Sequence, residues 1–154
     1  ADGIARAERS DDARTKYWVG PLTNNGGWRL HDLGRYAEAL ELFEKSQAIR
    51  ESQDTNGDPA RIARWCVARC LRSLGRYEAA RILQFSLRDS GLARGAEDGY
   101  VYEELGELGL LLGQTSEARA SFARAYDLLG ADPSFARADA ARLERIRVLG
   151  GLEP

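Results

Sequence analysis

The sequence predicts an all-α solenoid: three helical hairpins stacked in line, with capping helices on either flank. Three observations carry this expectation. A seven-residue phrase recurs as Leu33-Gly34-Arg35-Tyr36-Ala37-Glu38-Ala39, Leu74-Gly75-Arg76-Tyr77-Glu78-Ala79-Ala80 and Leu112-Gly113-Gln114-Thr115-Ser116-Glu117-Ala118. Its glycines, Gly34, Gly75 and Gly113, stand 41 and then 38 residues apart, a period that belongs to stacked repeats. Around each phrase, apolar residues recur at helical spacing.

Aligned on that glycine, other columns agree. Seven residues before it stand Gly27, Ala68 and Gly106, all small; five after it stand Ala39, Ala80 and Ala118; nine after it stand Phe43, Gln84 and Phe122. Small residues in matched columns let two helices approach, and large apolar ones fill the space around the contact. The glycine itself fits a left-handed helix terminator. Each unit therefore reads as helix, tight turn, helix.

The predicted helices are 21–33 and 36–52, 59–74 and 77–90, then 97–112 and 115–129. In the first unit Tyr36, Ala39, Leu40 and Phe43 follow i, i+3, i+4, i+7. Ala118, Phe122, Ala125, Tyr126 and Leu129 do the same in the third. In the second, Ile82, Leu83, Phe85 and Leu87 carry the apolar load. Pro59 and Pro133 suit helix starts, with Asp58 and Asp132 before them as caps. Residues 134–149 place Phe135, Ala138, Leu143, Ile146 and Leu149 on one amphipathic helix, read as the C-terminal cap. Residues 1–20 form an N-terminal flank, in which 2–18, charged and poorly periodic until Tyr17-Trp18, read as a helix that is either half of an upstream unit or an N-terminal cap. The organisation expected is one domain over 1–154, with repeats at 21–52, 59–90 and 97–129 and a capping helix at 134–149.

The bulk composition limits function. With 22 Lys and Arg against 24 Asp and Glu, the net charge is −2. That balance argues against nucleic acid, which wants a clustered basic face. No run approaches the roughly 18 apolar residues of a membrane span. Cys66 and Cys70 lie one helical turn apart, where a disulfide would strain the helix, and two thiols fit a reducing cytoplasm. The start at Ala1-Asp2-Gly3, without Met, suggests a processed or truncated beginning, and a larger parent protein is one expectation.

The phrase Leu-Gly-x-Tyr-x-x-Ala, with an aromatic and a Pro near the unit's end, resembles the tetratricopeptide repeat. Asn24-Asn25-Gly26-Gly27-Trp28 resembles the opening of that family's first helix, and Ala131-Asp132-Pro133 its closing residues. The likeness covers about 21–133. Units of 41 and 38 exceed the usual 34, and so resemble the longer-helix subtype of bacterial regulators and light-chain adaptor proteins. Gly26 and Gly109 stand where large residues are usual; each Gly in a helix interior costs roughly 1 kcal/mol. The first helix is therefore expected to be soft.

The resemblance implies a right-handed superhelix whose first helices line a concave, peptide-binding groove. Carried over position by position, the lining is Asn24, Trp28 and His31 in unit one, Ile62, Trp65, Arg69 and Arg72 in unit two, and Tyr100, Glu103, Glu107 and Leu110 in unit three. Aromatic and Arg side chains are the usual anchors of such surfaces. Two readings stand for several of them. Trp28 and Trp65 are groove anchors, or are packed between helices. Arg69 and Arg72 hold a carboxylate, or pair with Glu103, Glu104 and Glu107 on a solvated face. The family's Lys/Asn carboxylate clamp is matched only in fragments, so an acidic C-terminal tail of the chaperone type is not expected.

Catalysis has little support. His31 is the sole histidine, so with Cys66 and Cys70 a metal would find at most three ligands. A Cys–His pair would need a lowered thiol pKa. There is no phosphate-binding loop, and Glu103 and Glu104 point about 100° apart on a helix. The reading reached is a non-catalytic, cytoplasmic binding module, without cofactor or metal, holding a protein or peptide partner. The alternatives are a self-associating assembly protein, or the sensor part of a larger regulator.

Overall fold

The computed structural model describes residues 4–6, 9 and 19–153. The expectation for Tyr17-Trp18 falls outside them. The chain forms two compact units, Ala1–Arg76 and Tyr77–Pro154. All regular structure among the described residues is helical. Unit one holds α1 (Val19–Asp32), α2 (Tyr36–Gln53) and α3 (Asp58–Ser73); unit two holds α4 (Tyr77–Ala93), α5 (Gly99–Leu111), α6 (Thr115–Gly130), α7 (Pro133–Ala138) and α8 (Ala140–Leu149).

The repeated glycine makes the corner the sequence asks of it. Gly34, Gly75 and Gly113 have φ of 73°, 74° and 73°, where an L side chain is strained. At each, two backbone bonds close the helix end: Gly34 N–H to His31 O at 2.9 Å and Arg35 N–H to Leu30 O at 2.9 Å in the first copy. The second and third copies repeat the pattern on Arg72 and Leu71, then on Leu110 and Gly109. This double bond satisfies carbonyls that a helix terminus would otherwise leave unpaired. Gly95 closes α4 in the same way, with Ala96 N–H on Gly91 O at 2.9 Å.

Inside each unit the aligned columns pack as a set. In unit one, α2 lies against both α1 and α3. Ala39 and Phe43 are fully buried, and a Cβ built on Gly27 would stand 2.6 Å from the Phe43 ring. In unit two, Ala118 and Phe122 are fully buried, and a Cβ on Gly106 would stand 2.8 Å from the Phe122 ring. The missing side chain in α1 or α5 thus makes room for a phenylalanine from the next helix. Gly109 is likewise a close approach, its Cβ position 2.9 Å from the Ala118 Cβ. Phe122 heads the unit-two cluster of Ala118, Ala125, Leu129, Phe135 and Ile146, on which Tyr102, Tyr126, Leu143 and Leu149 rest.

Two local expectations are corrected. Asp58 is not a cap: α3 begins on it, Gly57 is the N-cap, and no side chain accepts there. Asp54 takes the preceding turn instead, accepting from Asn56 N–H at 3.0 Å. By contrast Asp132 does cap α7, accepting from Ser134 N–H at 2.8 Å, and Asp98 caps α5 through Tyr100 N–H at 2.9 Å. The single helix expected over 134–149 is broken at Asp139, whose φ of −124° and ψ of 38° leave the helical region. The break lets buried Phe135 and buried Ile146 enter one cluster from two short helices.

Candidate functional site

In unit one the structure brings the expected side chains of α1 and α3 together. The Trp28 and Trp65 rings lie 6.1 Å apart at 39°, both half-buried. Trp28 also meets Phe43 at 5.1 Å and His31 at 5.1 Å, both edge-on. Trp28 is therefore anchored in the packing between helices and contributes part of its ring to the surface. Its indole N–H and the Asn24 amide donate to the Cys66 thiol. Asn24 Oδ1 is buried without a hydrogen-bond partner.

His31 is the polar hinge of this face. Its Nε2 lies 2.9 Å from Ser73 Oγ, and Arg69 Nη1 donates to the same oxygen at 2.7 Å. The Tyr36 ring packs on it at 4.9 Å. Burial lowers the His31 pKa below its ordinary value; the Arg69 and Arg72 guanidiniums lower it further, against the opposing pull of Asp32. The residues expected from the first helices of the first two repeats (Asn24, Trp28, His31, Trp65, Arg69 and Arg72) thus all lie on α1 and α3 of unit one. Ile62, on the same helix α3, is exposed. Ser73 was not singled out by the sequence, and Tyr36 was read there only as a residue of the repeated helix face.

In unit two the expected residues have another setting. Glu103 is only 6% exposed and receives a bidentate pair of bonds from Arg142 of α8, at 2.9 and 2.7 Å. Glu107 accepts from Arg145 of α8 at 2.5 Å. The Arg142 guanidinium also lies over the Tyr100 ring, 5.4 Å from its centroid, and over Phe135 at 5.6 Å. Tyr100 meets Phe135 edge-on at 5.8 Å. The basic partners of Glu103 and Glu107 thus come from the C-terminal helix. Leu110 remains exposed.

A cleft of about 480 Å³ opens in unit two among α4, α5 and α6, lined by Phe85, Tyr102, Leu105 and Gly109, with Arg81 and Arg88 beside them. Both guanidiniums lie over the Phe85 ring, 5.1 and 4.6 Å from its centroid. Arg81 is held by Gln114 at 2.5 Å and by Glu78 and Glu117 at 3.5 and 3.6 Å; Arg88 pairs with Asp89. Its cations are matched by this chain's own acids.

The thiols are poor nucleophiles. Burial pushes Cys66 up to about 11 and also raises Cys70, which donates to Tyr36 O at 3.3 Å. Neither has the lowered pKa that reactivity requires. Among the described residues no helix is long and apolar enough to cross a membrane.

Comparison with known proteins agrees with this architecture. Residues 22–52, which span most of α1 and α2, match the family described as tetratricopeptide repeat. None of the curated proteins matches the chain. Among solved structures, it is similar to nearly identical TPR-like repeats, named for a kinesin light chain, from Podosopora anserina. The TM-score is 0.66 at 19% identity, over 85% of this chain and 66% of that one. A single-substitution form of the same protein gives 0.65 at 19% identity, with the same coverage. The chain spans just under two thirds of the length of those structures. Residues 22–52 thus match the tetratricopeptide repeat, and the fold is similar to that of tetratricopeptide-like repeat proteins.

Proposed function

We propose that this chain is a non-catalytic binding module that holds a protein or peptide segment on the α1–α3 face of unit one. The observation that carries the reading is the tilted Trp28–Trp65 pair beside His31, Arg69 and Arg72. Half-buried indoles offer large apolar area on rings already fixed by packing, so little freedom is lost on binding. The neighbouring guanidiniums supply direction and charge, and aromatic and Arg side chains are the ones that dominate binding energy in such surfaces. The repeat fold supports the same reading, since tetratricopeptide-like folds are in general protein-interaction scaffolds.

The test is a peptide array probed with the whole chain, followed by titration of the strongest peptides. Trp65→Ala is expected to weaken them by at least about tenfold, with Arg69→Ala close behind. Circular dichroism confirms that both variants fold. Peptides whose affinity survives both changes would remove this face from consideration.

A further inference from the structure

We propose that the cleft among α4, α5 and α6 of unit two binds a small, uncharged aromatic molecule that carries a hydrogen-bonding group. It lies in a different unit from the α1–α3 face and does not rest on the peptide-binding reading. The observation that carries it is a convergence: two residues that depart from the repeat, Phe85 and Ser121, line the same cleft.

Aligned on the corner glycine, Ser121 falls in the column of Leu42 and Leu83. In the first repeat Leu42 lies over Gly26, whose Cβ position is 3.0 Å from the leucine Cδ1. The third repeat has its large residue on the first helix instead, as Leu105, which is buried and lines the cleft. That exchange does not force a small residue onto the second helix, because the second repeat has Val67 and Leu83 at the two places. Serine at 121 therefore leaves room that a leucine would fill. Phe85 falls in the column of Glu44 and Ala123, so stacking of the repeats asks for no aromatic there. A half-buried ring that the framework does not need, beside space that the framework elsewhere fills, makes a seat for another ring.

The lining selects the occupant. A volume of about 480 Å³ falls in the range of small-molecule pockets. Both aromatic walls are already fixed. The Arg81 and Arg88 guanidiniums lie over Phe85, and the Tyr102 phenol donates to Glu97, which Arg124 holds at 2.6 Å. A planar ring packing on them therefore costs them little freedom. The charges are already matched, since Arg81 pairs with Glu78 and Glu117, and Arg88 with Asp89. An anion would have to displace those carboxylates, and a cation would meet two guanidiniums. An uncharged ring meets neither cost. The Ser121 hydroxyl, able to donate or to accept, supplies a polar contact on the α6 wall.

The probe is 2-naphthol, two fused rings with one hydroxyl, uncharged at about pH 7 as a phenol is. Titrated into the whole chain by calorimetry, it is expected to bind as a single molecule per chain. The expected dissociation constant is about 0.1–1 mM, ordinary for so few atoms. Ser121→Leu installs the residue of the other two repeats and is expected to weaken binding by at least about tenfold. Phe85→Glu installs the residue of the first repeat and is expected to cost about five- to tenfold. Ser121→Ala keeps the room and is expected to cost about two- to fivefold. Circular dichroism checks the fold of each variant, and Phe85→Glu and Ser121→Ala decide the matter if Ser121→Leu does not fold. Trp65→Ala, in unit one, is expected to leave the affinity unchanged, and the anion 2-naphthoate to bind more weakly. The proposal is overturned by no saturable binding in the millimolar range, or by full affinity in the folded cleft variants. Loss of binding in Trp65→Ala, or tighter binding of 2-naphthoate, would overturn it as well. N-acetyltyrosinamide is titrated alongside; if it binds tighter than 2-naphthol, the cleft belongs to a partner's side chain and the proposal also fails.

Discussion

Helices α3 and α5 hold matching places in successive repeats, yet their polar faces are settled in opposite ways. On α3, Arg69 turns to the hydroxyl of Ser73, four residues along its own helix, in a neighbourhood shared with His31 and two indoles. On α5, Glu103 and Glu107 receive guanidiniums from α8, 39 and 38 residues further along the chain. The first arrangement leaves a half-buried aromatic and basic surface. The second turns equivalent positions into the fastening of a terminal helix. One repeat framework therefore leaves an aromatic and basic face in one unit and a face engaged by α8 in the other.

The sharpest way to break the comparison is to attack what the units share. Gly27→Ala and Gly106→Ala each push a methyl group against a phenylalanine ring. Both are expected to lower unfolding free energy by about 1–3 kcal/mol, read by denaturant midpoints. A large loss in one and none in the other would show that the columns are not equivalent.

Next comes what separates them. Arg142→Ala leaves the buried Glu103 without its bidentate partner. Loss of a fully buried partner costs about 3–5 kcal/mol, but the Arg142 side chain is 39% exposed, so solvent screening brings the expected loss to about 1–2 kcal/mol. Peptide affinity on the α1–α3 face is expected to stay within about twofold, because α8 takes no part in it. Tighter or weaker binding in Arg142→Ala would mean that the two faces communicate.

A third test exploits the column that disagrees. Where Phe43 and Phe122 fill their units, the second repeat has Gln84, fully buried with both amide atoms unpaired. Gln84→Leu is expected to raise stability by about 1–2 kcal/mol, since it removes two unsatisfied polar atoms and keeps most of the volume. A loss of stability would mean that the amide has a partner the static structure does not reveal.

The smallest effect concerns His31. Its folded-state pKa is lowered by burial and by Arg69, so between that value and the ordinary 6.5 the unfolded chain binds more protons. Stability is then full above pH 6.5 and falls as pH drops toward the folded value, with a slope of at most about 1.4 kcal/mol per pH unit. His31→Gln is expected to flatten the thermal-melting profile over that window; an unchanged profile would place the titration elsewhere.

The corners at Gly34, Gly75 and Gly113 were legible in the sequence because a positive φ is a local demand that only glycine meets easily. The Phe43 and Phe122 columns were legible for a similar reason, since helical periodicity repeats them. The Arg142–Glu103 pair was not: nothing near Glu103 in the sequence marks a partner in another helix. The break at Asp139 was equally hidden, because 134–149 reads as continuous helix by periodicity, and the packing of Phe135 and Ile146 decides otherwise. At the candidate site, Trp28, Trp65 and Arg69 were readable by position. The shared hydroxyl of Ser73 was not, because a serine near a helix end carries no signal of what it bonds.

The corner glycines have one more consequence. A Cβ at Gly34, Gly75 or Gly113 would meet nothing within 4 Å. These positions exclude other residues through backbone handedness alone, with no crowding involved. A mirror-image alanine, introduced by chemical ligation at Gly34, should therefore fit without strain and stabilise the fold by about 0.4–1 kcal/mol through a less disordered unfolded chain. Ordinary alanine at the same place should cost about 1–2 kcal/mol. The bends at Gly34, Gly75 and Gly113 select for chirality and leave room for a methyl group.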